Sequence, residues 1–188
     1  IDREDHLWMD RFTIRNLDLF GGTEGSNTLL KVLDNTVSAM GARLLKRWMV
    51  LPLNNIVKIN ERLNTVEYLI KEVDLRNKAT QYIKQAGDVE RLVSKVPLKK
   101  VNPREVLQIA KGLQQTALIK EICETSSNEY LKRLGDSLNP CKYIFDKIVK
   151  ELNDNPPVAA SKGNVIAAGI HEELDALRKI ASGGKVNE

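Results

Sequence analysis

The chain has 188 residues, 42% hydrophobic and 29% charged, with a formal net charge of +4 and two cysteines. That length lets a globular chain bury roughly 70% of its unfolded surface, and the balance is that of a soluble protein, while 5% aromatic residues and only eleven glycines argue against an all-β sandwich with many tight turns. No stretch reaches the roughly 20 apolar residues of a membrane span, the acidic start IDREDHLWMD is unlike a secretory signal, and Cys123 and Cys141 are too few for a disulfide framework and too far apart for a paired metal motif.

The first periodic piece is a helix with Met40, Leu44, Leu45, Trp48 and Leu51 on one face, Thr36 as its expected N-cap and Pro52 as its stop. From Asn55 onward, Ile56, Ile59, Leu63, Val66, Ile70 and Val73 recur at spacings of three and four, the seam of a helix packed on another helix. That seam is expected to be core, so Leu63→Ala is expected to cost about 2–5 kcal/mol. Further starts fall at Asp74, Asp88 and Asn102. Asn102-Pro103-Arg104-Glu105 is the clearest of them, combining a capping side chain, Pro where its missing N–H costs nothing, and a carboxylate in the first turn. Leu107, Ala110, Leu113 and Ala117 mark one face of the helix that follows. Two more helices are expected, from about Asn128 to Leu138 and from Lys142 to Leu152, before residues 153–157 break the pattern. Between Val158 and Ile170 small and β-branched residues with Gly163 and Gly169 predict an extended or hairpin piece. A last helix spans Glu172 to Ala181, loosened by Gly183-Gly184. The fold class is therefore mainly α, a multi-helix orthogonal or antiparallel bundle, with short extended segments near the N-terminus and around residues 158–170.

Little in this chain points to catalysis. His6 and His171 have no Cys, Ser or Asp at a triad or metal-ligand spacing. Gly21-Gly22-Thr23-Glu24-Gly25 lacks the Lys-Ser/Thr that closes a phosphate loop and reads as a surface loop. No catalytic, cofactor or metal residue is assigned. The one concentration of charge is Arg91, Lys95, Lys99, Lys100, Arg104 and Lys111, which could give a salt-dependent affinity for the DNA backbone; ordinary solvation is the competing reading. Arg43, Lys46 and Arg47 flank Leu44 and Trp48 and are expected to pack with snorkelled stems.

Several ordered pieces carry a family resemblance. They are LDNTVSAMGARLLKRWMVLPL at residues 33–53, Met9-Asp10, Arg15-Asn16-Leu17-Asp18, Gly87-Asp88-Val89-Glu90-Arg91-Leu92, and Asn102-Pro103-Arg104-Glu105-Val106-Leu107. Asp154-Asn155-Pro156-Pro157, Gly163-Asn164-Val165-Ile166 and Gly169 with Glu173-Leu174-Asp175-Ala176-Leu177-Arg178 follow. In this order they resemble the core domain of the MutS family of DNA mismatch repair proteins. Asn164 stands where that family usually has a second Gly and Ile170 where it usually has Tyr; Asn tolerates positive φ, so the first departure leaves the turn feasible.

The resemblance implies one helical core or lever domain over residues 1–188, cut from a longer chain: residues 1–27 lead in, 28–152 form the helical core, 153–170 link, and 171–188 begin a lever helix toward a clamp domain. Its structural core is expected to include Leu44, Trp48, Ile56, Ile59, Leu63, Val66, Ile70, Leu107 and Leu113. The parent would be an ATPase holding ATP and Mg in its own ATPase domain and binding mismatched double-stranded DNA. It would be a homodimer that works with clamp, connector and ATPase domains of the same chain and a MutL-type partner, off the membrane, in the bacterial cytosol at the nucleoid. A stand-alone nucleic-acid-binding module and a protein adaptor are the alternatives.

Overall fold

The computed structural model describes residues 5–21 and 27–183; residues 22–25 of the glycine-rich run and Gly184 lie outside them. Among the described residues the chain is mainly helical, as its composition predicts, with isolated β-bridges and no sheet. The order is α1 (Arg11–Asn16), α2 (Leu29–Leu33), α3 (Ala39–Val50), α4 (Ile56–Lys71), α5 (Val73–Ala86), α6 (Val89–Ser94), α7 (Pro103–Glu124), α8 (Glu129–Ser137), α9 (Lys142–Glu151) and α10 (Glu172–Gly183). Backbone contacts divide the chain into unit 1, Ile1–Asp88 with Gln115–Asn139, and unit 2, Val89–Gln114 with Pro140–Glu188.

In unit 1 local side-chain capping sets the helix starts except that of α5, which follows Glu72 with no side-chain cap and begins at Val73. Asn55 accepts from the Val57 and Lys58 N–H groups at 3.0 and 3.3 Å and opens α4, and Asn128 accepts from Leu131 N–H at 2.9 Å and opens α8, each satisfying donors that a helix leaves unpaired. The cap of α3 is Ser38, which accepts from Gly41 N–H at 3.1 Å, and not Thr36. Thr36 is engaged by the Asp34 carboxylate, to which its hydroxyl donates at 2.6 Å and its N–H at 3.0 Å. That Asx-type turn competes with capping and moves the start two residues on. Helices α1 and α2 have six and five residues, too short for a 3.6-residue period to register.

The extended piece near the N-terminus is an antiparallel bridge from His6 to Leu53, with Leu7 N–H donating to Pro52 O and Asn54 N–H to Asp5 O, each at 2.9 Å. Asp5 also accepts from Asn55 at 2.8 Å and pairs with Lys58, fastening the leading segment to the start of α4. Among the described residues of unit 1 the buried ones are Leu19, Ala86, Leu131 and Gly135, with Thr65 and Ser126 as buried hydroxyls. Both hydroxyls are satisfied: Thr65 donates to Glu61 O at 2.7 Å and Ser126 to Cys123 O at 2.8 Å. Burial, with Glu124 alongside, pushes the Cys123 thiol up, which makes it a poor nucleophile.

Unit 2 is organised on the first half of α7, where Ile109, Ala110 and Gly112 are buried. Of the face expected there, Ala110 is buried, Leu107 and Leu113 are half-buried, and Ala117, which falls in unit 1, is exposed. Asn102 and Glu105 form a reciprocal capping box: Asn102 accepts from Glu105 N–H and Glu105 from Asn102 N–H, both at 3.0 Å. Of the extended or hairpin piece expected between Val158 and Ile170, the structure shows a 3-10 turn at Ala160–Lys162 and extended pairing reduced to a single antiparallel bridge from Leu152 to Ile166. Asn164 has φ 54°, the left-handed conformation that Asn accepts and most side chains do not.

Candidate functional site

The seam of α4 is where sequence and structure part most sharply. Ile56, Leu63, Val66 and Ile70 are 66%, 60%, 55% and 62% exposed, and Ile59 is half-buried. These residues were expected to be core, and the structure corrects that: Ile56, Leu63, Val66 and Ile70 form an apolar stripe open to solvent in this chain, with half-buried Ile59 beside it. The reason lies on the other face of α4, which packs through polar groups. Glu61 pairs with Arg133 of α8 at 2.6 Å, the Thr65 hydroxyl lies 3.4 Å from Asn128 Oδ1, and the Tyr68 hydroxyl accepts from Ser127 N–H at 3.2 Å. A three-and-four spacing identifies a face that prefers to be covered; it does not say which elements cover it.

Helix α3 shows the same pattern. Leu44 and Trp48 are 45% and 39% exposed, so they too are corrected from core to surface. With His6, Arg47 and Leu51 they line an open cavity of about 200 Å³. The Arg62 guanidinium from α4 lies 3.7 Å from the centre of the Trp48 ring, a cation–π contact that covers one ring face. The Lys46 ammonium lies 5.6 Å from the centre of the Phe20 ring. Arg43 instead makes a two-pronged ion pair with Asp88 at 2.7 and 2.9 Å.

All six cations of the basic stretch fall in unit 2, but they are not equivalent. Lys95 is paired with Glu105, inside the capping box of α7. The Arg104 guanidinium donates through Nε to Pro156 O at 2.9 Å. Arg91 lies in the electrostatic field of Glu105. Lys99, Lys100 and Lys111 are exposed and carry no ion pair among the described residues. The structure therefore spends Lys95 and Arg104 on holding the start of α7, and leaves three lysines to solvent. Lys99 adopts φ 53°, closing the turn that leads into α7.

Glu105 carries the clearest electrostatic signal here. Its hydrogen bond to Lys95, followed by that from Asn102 N–H, holds its carboxyl below the ordinary value of 4.5, with a smaller opposing contribution from desolvation. A depressed folded pKa contributes stability above the ordinary value and loses it as pH falls through the folded pKa. Glu105→Gln is therefore expected to be less stable than the parent at about pH 7, with the gap closing toward about pH 3, as read by urea midpoints across that range. A gap that widens on acidification would contradict this sign.

His171 is exposed, and its carbonyl accepts from Asp175 N–H at 3.0 Å, the opening bond of α10. Among the described residues no three His, Cys, Asp or Glu side chains converge on a metal-binding geometry, and no helix is long and apolar enough to cross a membrane.

The geometry thus defines a class first: a helical scaffold with buried cores in each unit and an uncovered apolar stripe on α4. The family profile of MutS domain III matches residues 12–183. The DNA mismatch repair protein MutS of Bacteroides fragilis is 46% identical over 186 residues, covering 98% of this chain and 22% of its own length. Those of Bacteroides thetaiotaomicron and Cytophaga hutchinsonii are 45% and 40% identical with the same coverage. The chain belongs to the MutS family, within its domain III, and spans about a fifth of the length of these relatives.

Proposed function

We propose that this chain is the structural core of a MutS-type mismatch repair polypeptide, a packed set of helices that couples an ATPase domain to a clamp on DNA. Coupling between distant sites needs contiguous elements that move as units, and the first half of α7 with α9 and α10 are candidates for such elements in unit 2. The observation that carries the reading is the domain III match over residues 12–183, joined by the open stripe of Ile56, Leu63, Val66 and Ile70. In this reading the stripe is the face that other domains of the same polypeptide cover.

Mismatched double-stranded DNA, ATP and Mg are then bound by the whole polypeptide, outside this domain. Its homodimer, a MutL-type partner and a bacterial cytosolic, nucleoid-associated location follow from the same reading. The stripe also suits an adaptor for a separate protein, whereas a stand-alone DNA-binding module is less well supported, because Lys95 and Arg104 are already engaged.

Fluorescence anisotropy of the chain with a matched duplex and with a G·T-mismatched one, at low and physiological salt, separates these readings. The scaffold reading predicts no binding, or weak binding that salt removes equally from both duplexes. Tight, mismatch-selective binding would place recognition in this domain and overturn it.

A further inference from the structure

We propose that residues 152–170 are not a linker but a strap that locks the first turns of α10 to the end of α9, with the Ile166 carbonyl as its knot. Two donors from opposite sides meet on that single oxygen. The Asn153 side-chain amide, just past α9, donates to it at 3.1 Å, and the Arg178 guanidinium, from the second turn of α10, donates at 2.9 Å. A carbonyl has two lone pairs, so both donors are accommodated and the oxygen is saturated.

The rest of the segment reinforces the knot. Asn153 also donates to Asn164 O at 2.8 Å and to Asn164 Oδ1 at 2.9 Å, while its backbone N–H donates to Val165 O at 3.0 Å and Ala167 N–H donates to Glu151 O at 2.8 Å. On the α10 side, Asp175 accepts from Gly169 N–H at 2.7 Å and from Arg178 at 3.2 Å. Gly169 has φ 82°, a backbone that favours glycine and brings its N–H to Asp175. Pro156 is fully buried, and its carbonyl accepts from Arg104 at the start of α7. The strap thus ties three helices of one unit, α7, α9 and α10. Asn164 contributes an acceptor that a glycine at this position would lack.

A segment with so many interlocked backbone groups opens as a unit and not residue by residue. If α10 is the root of a lever, as proposed above, the strap is what keeps the lever from swivelling at its base; that consequence rests on the lever reading, whereas the strap itself does not.

Hydrogen exchange of the chain tests the strap directly. Asn153→Asp keeps the shape but turns a donor facing three oxygens into an acceptor, and Arg178→Ala removes the other donor. Either is expected to speed exchange at Gly169 and residues 175–178 by about tenfold, with α4 and α8 unchanged. Asn164→Gly keeps the left-handed backbone and two of the three Asn153 acceptors, and is expected to change the same amides by less than about twofold. Unchanged exchange in Asn153→Asp and Arg178→Ala would overturn the strap. So would acceleration spread evenly over both units, or an Asn164→Gly effect equal to that of Asn153→Asp. Because the readout needs neither DNA nor nucleotide, the lever reading can fail while the strap stands.

Discussion

Leu131→Ala is expected to lower the unfolding free energy by about 2–5 kcal/mol, the range for removing a buried leucine and leaving a partly collapsed cavity. Leu131 is 9% exposed and sits in the first turn of α8, its N–H held by the Asn128 cap at 2.9 Å. The cap keeps the backbone in place when the side chain is cut back, so the surroundings have little freedom to fill the void. Urea denaturation gives the value, and an unchanged slope would show that the change lies in stability and not in the denatured ensemble. A loss below about 1 kcal/mol would mean that α8 is not part of the core of unit 1.

The second large effect comes from adding a single carbon. A Cβ at Gly135 would lie 2.9 Å from Cys123 Cβ, 3.2 Å from Glu124 N and 3.3 Å from Glu124 Cγ. Two of these atoms belong to, or are directly bonded to, the backbone of α7, so they cannot swing away as the end of a long side chain would. Gly135→Ala gains about 1 kcal/mol of helix propensity, but overpacking of about 1–3 kcal/mol opposes it. A net destabilisation is expected, larger for Gly135→Val, along with weakening of the 2.8 Å bond from Lys120 Nζ to Gly135 O. Stabilisation by Ala, as at an open helical glycine, would contradict the close approach of the two helices.

What was legible in the sequence was local. The starts at Asn102 and Asn128 follow from capping chemistry within four residues, and the left-handed Asn164 stands where the family resemblance places a glycine, a conformation that Asn tolerates. Mainly helical structure followed from periodicity and low glycine. Thr36 misled because a carboxylate two residues earlier claimed it, a competition that a list of good N-caps does not reveal.

The rest depended on distant partners. Nothing in the spacing of Ile56, Leu63, Val66 and Ile70 says whether this chain covers them, and in it they are uncovered. The basic stretch read as one group, yet Lys95 finds Glu105 ten residues away and Arg104 finds Pro156 fifty-two residues away. Arg62 over Trp48 and the strap around Ile166 are likewise products of tertiary contact. A glycine inside a helix was the available signal for Gly135, since such a position often marks close backbone approach.

The central claim is that the α4 stripe is built for elements other than this chain's own core, and Leu63→Glu is its most direct test, made in the chain and in a full-length MutS polypeptide carrying this domain. At 60% exposure the substitution is expected to shift the chain's own unfolding free energy by less than about 1 kcal/mol, while in the longer polypeptide it is expected to uncouple ATP binding from the change in DNA grip. Destabilisation of the chain by about 2–5 kcal/mol, as for a buried leucine, or full retention of ATP-dependent DNA response in the longer polypeptide, would contradict the account.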